Sequence, residues 1–467
     1  MKTATNMFAT ALIIVLMMLV SSSAIYAANY TQQDVDKALA GLKSNDLVEK
    51  TDAVNFFVEN AGITEAYDTL VNGLNDTFPP FRRYCAMAIA EYKNRDRIPV
   101  LENYLNKSIE RGKNATIDAD EIYTAINCIA RIGGDAADKI VSKCLKSENL
   151  TVRNSATKVV ALTTKDVAKV TPYINDADKQ TRYTMYETLG WMRTPAAFDI
   201  LQNLFAQKKD AEETLVIMRA IQFTQDARSV DIYINALKND DPDIRANAAI
   251  ILFTSRDDKV VDALIEALTK DKDASVRMCI VNSLRYNKNE KVVPALIVSM
   301  QDTNAGVRAS VASAIGERTN IAFYEKRDIT AERTAFKPLL ALLNDEAGIV
   351  SASAAQALAA FNDKEAIDPL IKALRNDFNR TRSNAVTSLF AIGGDKVMDA
   401  IGLAMGRELD HTVLRSMIAV MKQMTDKETA AKYIEAAAKN ARKDNQKLES
   451  EFVGAHLALV GNTTGMK

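Results

Sequence analysis

Apolar residues recur at helical spacing along most of this chain, and a capping residue interrupts the pattern at nearly regular intervals. Asn149, Asp178, Asp210, Asp241, Asp273 and Asn304 each precede such a run, separated by 29, 32, 31, 32 and 31 residues. One unit reads clearly from Asp241, whose side chain suits the first free amides of a helix. Pro242 then stands where a missing N–H costs nothing, and Asp243 complements the positive end of the helix dipole. Ala248, Ala249 and Leu252 supply a small, apolar face. A polar turn over residues 255–259 breaks the pattern, and a second helix follows with Val260, Val261, Leu264 and Leu268.

The second helices close on Leu105, Leu145, Ile174, Phe205, Leu237, Leu268, Met300, Leu343, Leu374 and Met405. Two of these intervals are long, 40 and 43 residues, and place insertions at residues 106–118 and 318–333. The turns Ile132-Gly133-Gly134-Asp135 and Ile392-Gly393-Gly394-Asp395 lie 260 residues apart; without the 12 residues of the second insertion, that is eight units of 31. The register predicts an all-α chain, an α/α superhelical solenoid of about twelve two-helix units over residues 28–439. The first pair, 34–74, is the least regular, and residues 440–467 read as a closing amphipathic helix from 445 to 460 with a short tail. Such units cannot bury their apolar faces alone and stack on their neighbours.

At this point the residues carry a resemblance. Asp-x-x-Val-Arg, an alanine-rich helix, a polar or glycine turn and Val-x-x-Leu-Ile-x-x-Leu resemble the HEAT repeat, in the short variety named for the phycobilisome bilin lyases. The motif is carried by Asp273/Val276/Arg277, Asn304/Val307/Arg308, Asp241/Ile244/Arg245 and Asn149/Val152/Arg153. The resemblance implies the fold and little about function, since such repeats occur in scaffolds, transport receptors, lyases and hydroxylases. In similar repeats the arginine bridges to an acidic or amide residue of the next unit. Arg153, Arg182, Arg245, Arg277 and Arg308 therefore read as structural rather than as a row of cations for an acidic partner, and Thr214 breaks their series. The deoxyhypusine hydroxylases, which resemble these repeats, hold a di-iron centre on His-Glu pairs. Here His411 precedes Thr412 and His456 precedes Leu457, so no such centre is expected. His411 falls in the capping column.

With 48% apolar and 25% charged residues the chain has the makings of a large core. Lys plus Arg total 59 against 60 Asp plus Glu, so no basic excess exists to hold nucleic acid. Lys2, the uncharged run 7–20 and the small residues ending at Ala27 read as a signal peptide over residues 1–27, cleaved after Ala27 or Ala28, with a periplasmic or secreted destination. The competing reading is an uncleaved anchor, because residues 7–28 are just long enough to cross a bilayer. No other segment approaches that length, so no integral span is expected after cleavage. Asn75, Asn114 and Asn379 would accept glycans in a eukaryotic source.

Candidate chemistry is sparse. Cys85 and Cys279 each stand two residues after an arginine, Arg83 and Arg277, and occupy one column six repeats apart, too far to pair. Cys128 and Cys144 fall on the two helices of one unit and either meet or remain buried thiols. Zinc-type Cys-x-x-Cys spacing, a nucleophile elbow, a phosphate loop and a dinucleotide fingerprint are all missing from the sequence, so no catalytic, cofactor-binding or metal residue is selected.

What remains is surface. The exposed columns of the second helices lie six and two residues before each closing residue: Asp199/Asn203, Asp231/Asn235 and Asp262/Glu266, then Pro294/Val298, Lys337/Ala341, Asp368/Lys372 and Asp399/Leu403. An acidic stretch there favours a basic protein or peptide partner, and an ordinary solvated face is the plainer reading. The insertion 318–333 sets Ile321, Phe323 and Tyr324 among Arg318, Lys326, Arg327 and Arg333, which is either a contact surface or a loop tucked onto its own repeat. Trp191, at a turn between helices, is either buried between repeats or a contact for a partner. The expectation is an exported, non-enzymatic scaffold for protein–protein interaction in the cell envelope, with a lyase-like or cofactor-handling enzyme in the groove as the alternative.

Overall fold

The computed structural model describes residues 30–60, 63–112, 118–207, 210–253, 255, 257–441 and 446–460. The expected signal peptide, residues 113–117 of the expected 106–118 insertion (Asn114 among them) and the tail after 460 lie outside them. The described residues form two compact units, divided between Asn203 and Leu204. Both are all-α solenoids of paired helices.

Among the described residues twelve pairs run from Leu47 to Ala441, flanked by single helices Gln32–Gly41 and Gln446–Val460. The first helix, expected to open a pair, stands alone, closed by a capping box between Thr31 and Asp34. In the first unit the pairs include Pro79–Glu91 with Ile98–Arg111 and Lys179–Met192 with Pro195–Ala206. One second element differs from expectation: after Leu150–Thr164 come only the 3-10 turns Val167–Lys169 and Thr171–Tyr173. Pro172 sits inside them and offers no N–H to an α-helical ladder.

In the second unit the first helices form one layer, Ala211–Thr224, Pro242–Leu252, Ala274–Leu284, Ala305–Tyr324, Gly348–Ala359, Asn379–Ile392 and His411–Met421, each packed on the next. Second helices such as Ser229–Ala236, Asp258–Lys270 and Val292–Ser299 form the other. Buried Val276, Ile280 and Leu284 with Val292, Val293 and Leu296 show how one unit fills the space between layers. Each such side chain contributes about 1.5–3 kcal/mol of burial. Two helices approach closely at Gly316, where a Cβ would come within 2.8 Å of the Ala357 Cα.

All six predicted caps accept hydrogen bonds from amides at the start of their helices. His411 does not cap: Asp410 accepts from the Thr412 and Val413 amides, and His411 is the first helical residue. Several first helices end in a left-handed residue, Lys165, Arg193, Gln225 and Lys326 among them. The two Gly-Gly turns share a backbone that only glycine adopts freely, with φ of +71° at both Gly133 and Gly393 and ψ near 180°.

The arginine series is a ladder. Arg245 clasps Asp271 through two bonds of 2.7 and 2.9 Å, Arg277 clasps Asp302 at 2.7 and 2.7 Å, and Arg308 clasps Asp345 at 2.7 and 2.7 Å. Arg382 does the same with Glu408 at 2.6 and 2.7 Å. The third nitrogen donates back to a carbonyl six residues earlier: Asn239 from Arg245, Asp271 from Arg277, Asp302 from Arg308. Each Asp acceptor also takes the amide of the residue two further on, as Asp302 does from Asn304. One carboxylate thus joins the previous arginine to its own helix start. Burial alone would raise the Asp271, Asp302 and Asp345 carboxyls, but the arginine hydrogen bonds and the cap amide outweigh it and hold them below the ordinary carboxylate range.

In the first unit the ladder arginine is Arg82, not Arg83. Its helix starts after Phe78, and it clasps buried Glu121 at 2.6 and 2.8 Å. Glu121 also accepts from Tyr104 and Arg111. Cys85 therefore stands three residues after the ladder position, in the fully buried column of Ala156, Ala248 and Ile280, and not in that of half-buried Cys279. All four cysteines are free. Burial pushes the Cys128 thiol up to about 12 and raises that of Cys85 further, so neither is a thiolate nucleophile near neutral pH.

Candidate protein-binding surface

The second helices of the 204–467 unit present their predicted columns to solvent. Asp231 and Asn235 are exposed on Ser229–Ala236, and Asp262 and Glu266 on Asp258–Lys270. In the first unit Asp199 and Asn203 are exposed on Pro195–Ala206. Further along, Pro294 and Leu403 are open and Val298 is 64% exposed, as the change to apolar residues predicts.

The charge is not what the columns alone imply. Lys259 pairs with Asp231 of the preceding unit at 3.1 Å, Lys291 with Asp262 at 2.6 Å, and Lys396 with Asp368 at 3.7 Å. Glu266 is taken by Lys270, one turn along, at 2.8 Å. Lys259, Lys291 and Lys396 stand three residues before the column of Asp262, Pro294 and Asp399, which is the signal that sequence reasoning missed. The acidic face becomes a set of rungs of alternating sign.

Two depressions share Asp262. A groove of about 800 Å³ is lined by Lys238, Asp240, Asp262, Glu266 and Lys272, with Ile234 and Ala263 among its apolar walls. Beside it a shallower hollow of about 620 Å³ is lined by Ile265, Pro294, Ala295 and Val298 with Glu290 and Lys291. Lys238, Asp240 and Lys272 are exposed and make no ion pair among the described residues. The groove therefore offers two cations and one anion outside any ion pair among the described residues, with an adjoining apolar seat.

Residues 318–333 belong to the other layer. The first helix extends to Tyr324, and only residues 325–329 turn before the short helix Thr330–Arg333. Phe323 is half exposed and Tyr324 is 92% exposed. The arginines expected at a contact surface serve the fold instead. Arg318 is buried and donates to the carbonyls of Leu284 and Arg285, while Arg327 donates to buried Glu332 at 3.2 Å and Arg333 to Asp363 at 2.6 Å. Desolvation lowers the affinity of Arg318 for its proton, the cost of closing a neighbouring helix end with a cation. Trp191 lies within the last turn of Lys179–Met192, half buried, with the Arg193 guanidinium 5.9 Å from its ring centre.

Among the described residues no group of three or more His, Cys, Asp or Glu is placed to hold a metal ion, and no helix is long and apolar enough to cross a membrane. Two layers of helices built from units of about 31 residues define an α/α solenoid, a class that works by offering surface. Residues 208–285, 230–316 and 336–422 match the model for HEAT repeats, and across those stretches the chain is built of HEAT repeats. Comparison with curated protein sequences finds no match. Among solved structures, Kap121p bound to Pho4p is similar at 12% identity and a TM-score of 0.40, covering 92% of this chain and 57% of that one. The chain thus spans little more than half the length of Kap121p. The CpcE–CpcF complex of phycocyanin lyase from Nostoc is similar at 16% identity and a TM-score of 0.28, over 54% of this chain and 94% of that one. Human deoxyhypusine hydroxylase with glycerol is similar at 16% identity and a TM-score of 0.25, over 63% and 99%.

Proposed function

We propose that this chain is an exported, non-enzymatic scaffold that holds a protein partner against the second-helix layer of its 204–467 unit. The observation that carries the reading is the pair of adjoining depressions that share Asp262, one of mixed charge and one apolar. A groove that runs from repeat to repeat suits an extended or helical segment better than a small substrate, which needs an enclosed pocket with converging polar groups. The lysine rungs also change the partner. Asp231, Asp262 and Glu266 spend their charge on Lys259, Lys291 and Lys270, so the segment is of mixed charge with an apolar anchor rather than basic. What supports the non-enzymatic part is that these same carboxylates are tied in ion pairs and the buried thiols are held protonated.

Site-specific photocrosslinking in the source organism tests the site. A benzophenone side chain at Val298 is expected to trap a protein partner, and one at Ile250, exposed on the first-helix layer, is not. Combining Lys238→Glu with Lys272→Glu should cut the Val298 adduct at least tenfold. Equal adducts at both positions, or an adduct indifferent to the two reversals, would remove the groove from consideration. Export rests on residues 1–27, and mass spectrometry of the native protein should find a mature start at Ala28 or Asn29. An intact Met1 on the native protein would refute cleavage.

A further inference from the structure

We propose that the edge of the repeats formed by Ile349, Phe378 and Leu409 is a second docking strip, for an acidic amphipathic helix of a partner protein. These residues stand at the starts of three consecutive first helices. Ile349 is exposed at the second helical position, where the four preceding repeats carry Glu212, Asp243, Ser275 and Gly306. Phe378 is exposed at a cap position, and Leu409, just before the Asp410 cap, is 82% exposed. Two of the three helices give up the side-chain cap that their neighbours use, since Ala347 and Phe378 occupy the cap positions and bond no amide through their side chains.

The three positions are contiguous. The Phe378 ring lies against Gly348, where any Cβ would meet it. Asn379, the next residue, donates to the Asp410 carboxylate at 2.8 Å, which brings Leu409 alongside. Arg375, Arg380 and Arg407 are exposed around the strip and form no ion pair among the described residues, against two exposed acids, Glu346 and Asp377. The excess charge within three residues of the strip is cationic. Spacing selects the kind of partner. Stacked helices lie roughly 8–10 Å apart, and residues seven apart on one face of an α-helix are separated by about 10.5 Å. Apolar residues at i, i+7 and i+14 of a partner helix would therefore meet Ile349, Phe378 and Leu409 in turn, with flanking carboxylates on the arginines.

Fluorescence anisotropy of the full chain tests this with two labelled three-heptad peptides, identical in their leucines and carrying either Glu or Lys at the flanking positions. Vesicles of anionic phospholipid form a third arm. The Glu peptide is expected to bind at least tenfold more tightly than the Lys peptide. Leu409→Asp and Arg380→Glu, both at exposed positions that leave the stack intact, should each weaken it at least tenfold. Equal affinity for the two peptides, an affinity unmoved by both substitutions, no binding to either peptide, or binding to the vesicles in place of the Glu peptide would overturn the proposal.

Discussion

Replacing Asp302 by alanine is expected to destabilise the repeats around it by about 3 kcal/mol, because it strands the Arg277 guanidinium in a groove where each partner keeps only about a tenth of its side-chain surface in water. The loss has two parts. Arg277 forfeits its paired bonds, and the Asn304 amide forfeits its acceptor at the start of Ala305–Tyr324. Solenoids couple mainly to nearest neighbours, so the damage is local. Hydrogen exchange in Ala274–Leu284 and Ala305–Tyr324 should accelerate by about a hundredfold while Asn379–Ile392 changes little. Unchanged exchange in the first two helices would mean the rung is ornamental. Removing both members with apolar residues, Arg277→Met with Asp302→Leu, should cost less than the two single losses combined.

The same rungs give the protein an acid limit. Asp271, Asp302, Asp345 and Glu408 are all held below their ordinary values, so protons bind more readily to the unfolded chain. The stabilisation is complete above the unfolded carboxylate range, about pH 4, and is lost as pH falls through the lower folded values. Denaturation midpoints measured from pH 7 downward should hold to near pH 4 and then drop. In Asp302→Ala that drop should be smaller.

Gly316→Ala should destabilise the protein by about 1–2 kcal/mol, against the ordinary rule that alanine favours a helix over glycine by about 1 kcal/mol. The added carbon would lie 2.8 Å from both the Cα and the Cβ of Ala357, and the backbone there cannot rotate away as a long side chain could. Gly454 is the control. It lies in Gln446–Val460, and a Cβ added there would meet nothing within 4 Å, so Gly454→Ala should stabilise that helix by about 1 kcal/mol. A thermal melt in which both substitutions stabilise would show that the helices at Gly316 separate without cost.

The fold was legible because its causes are local. An Asp or Asn before an apolar run, a left-handed or glycine turn and a 31-residue interval each leave a mark within a few positions, and all six caps on the ladder from Asn149 to Asn304 reappear in the structure. Contacts made across units left weaker marks. The partner of Arg277 lies 25 residues away, and only the Asp302-x-Asn304 pair at the next helix start hints at it. The ladder position is Arg82, four residues after the Phe78 cap, and Phe78-Pro79-Pro80 has no Asp or Asn to mark that frame in the sequence. The columns of Asp231 and Asp262 are exposed, as their spacing predicts. Their net charge does not follow from spacing, since a periodicity argument ranks positions within one helix and is blind to a lysine reaching over from the next. At 318–333 the aromatic residues are compatible with a loop, whereas about two further turns of helix carry them, held by Arg318 on the carbonyls of the preceding unit.

The two sets of ion pairs respond to their surroundings in opposite ways. The arginine rungs are enclosed and bidentate, whereas Lys259–Asp231 and Lys291–Asp262 lie open, with about half or more of each side chain in water. Dissolved ions screen the second kind far more than the first. Raising the ionic strength should release carboxylates and lysines along the groove without loosening the stack beneath, so a single chain presents different faces in dilute and in salty media while its skeleton stays the same.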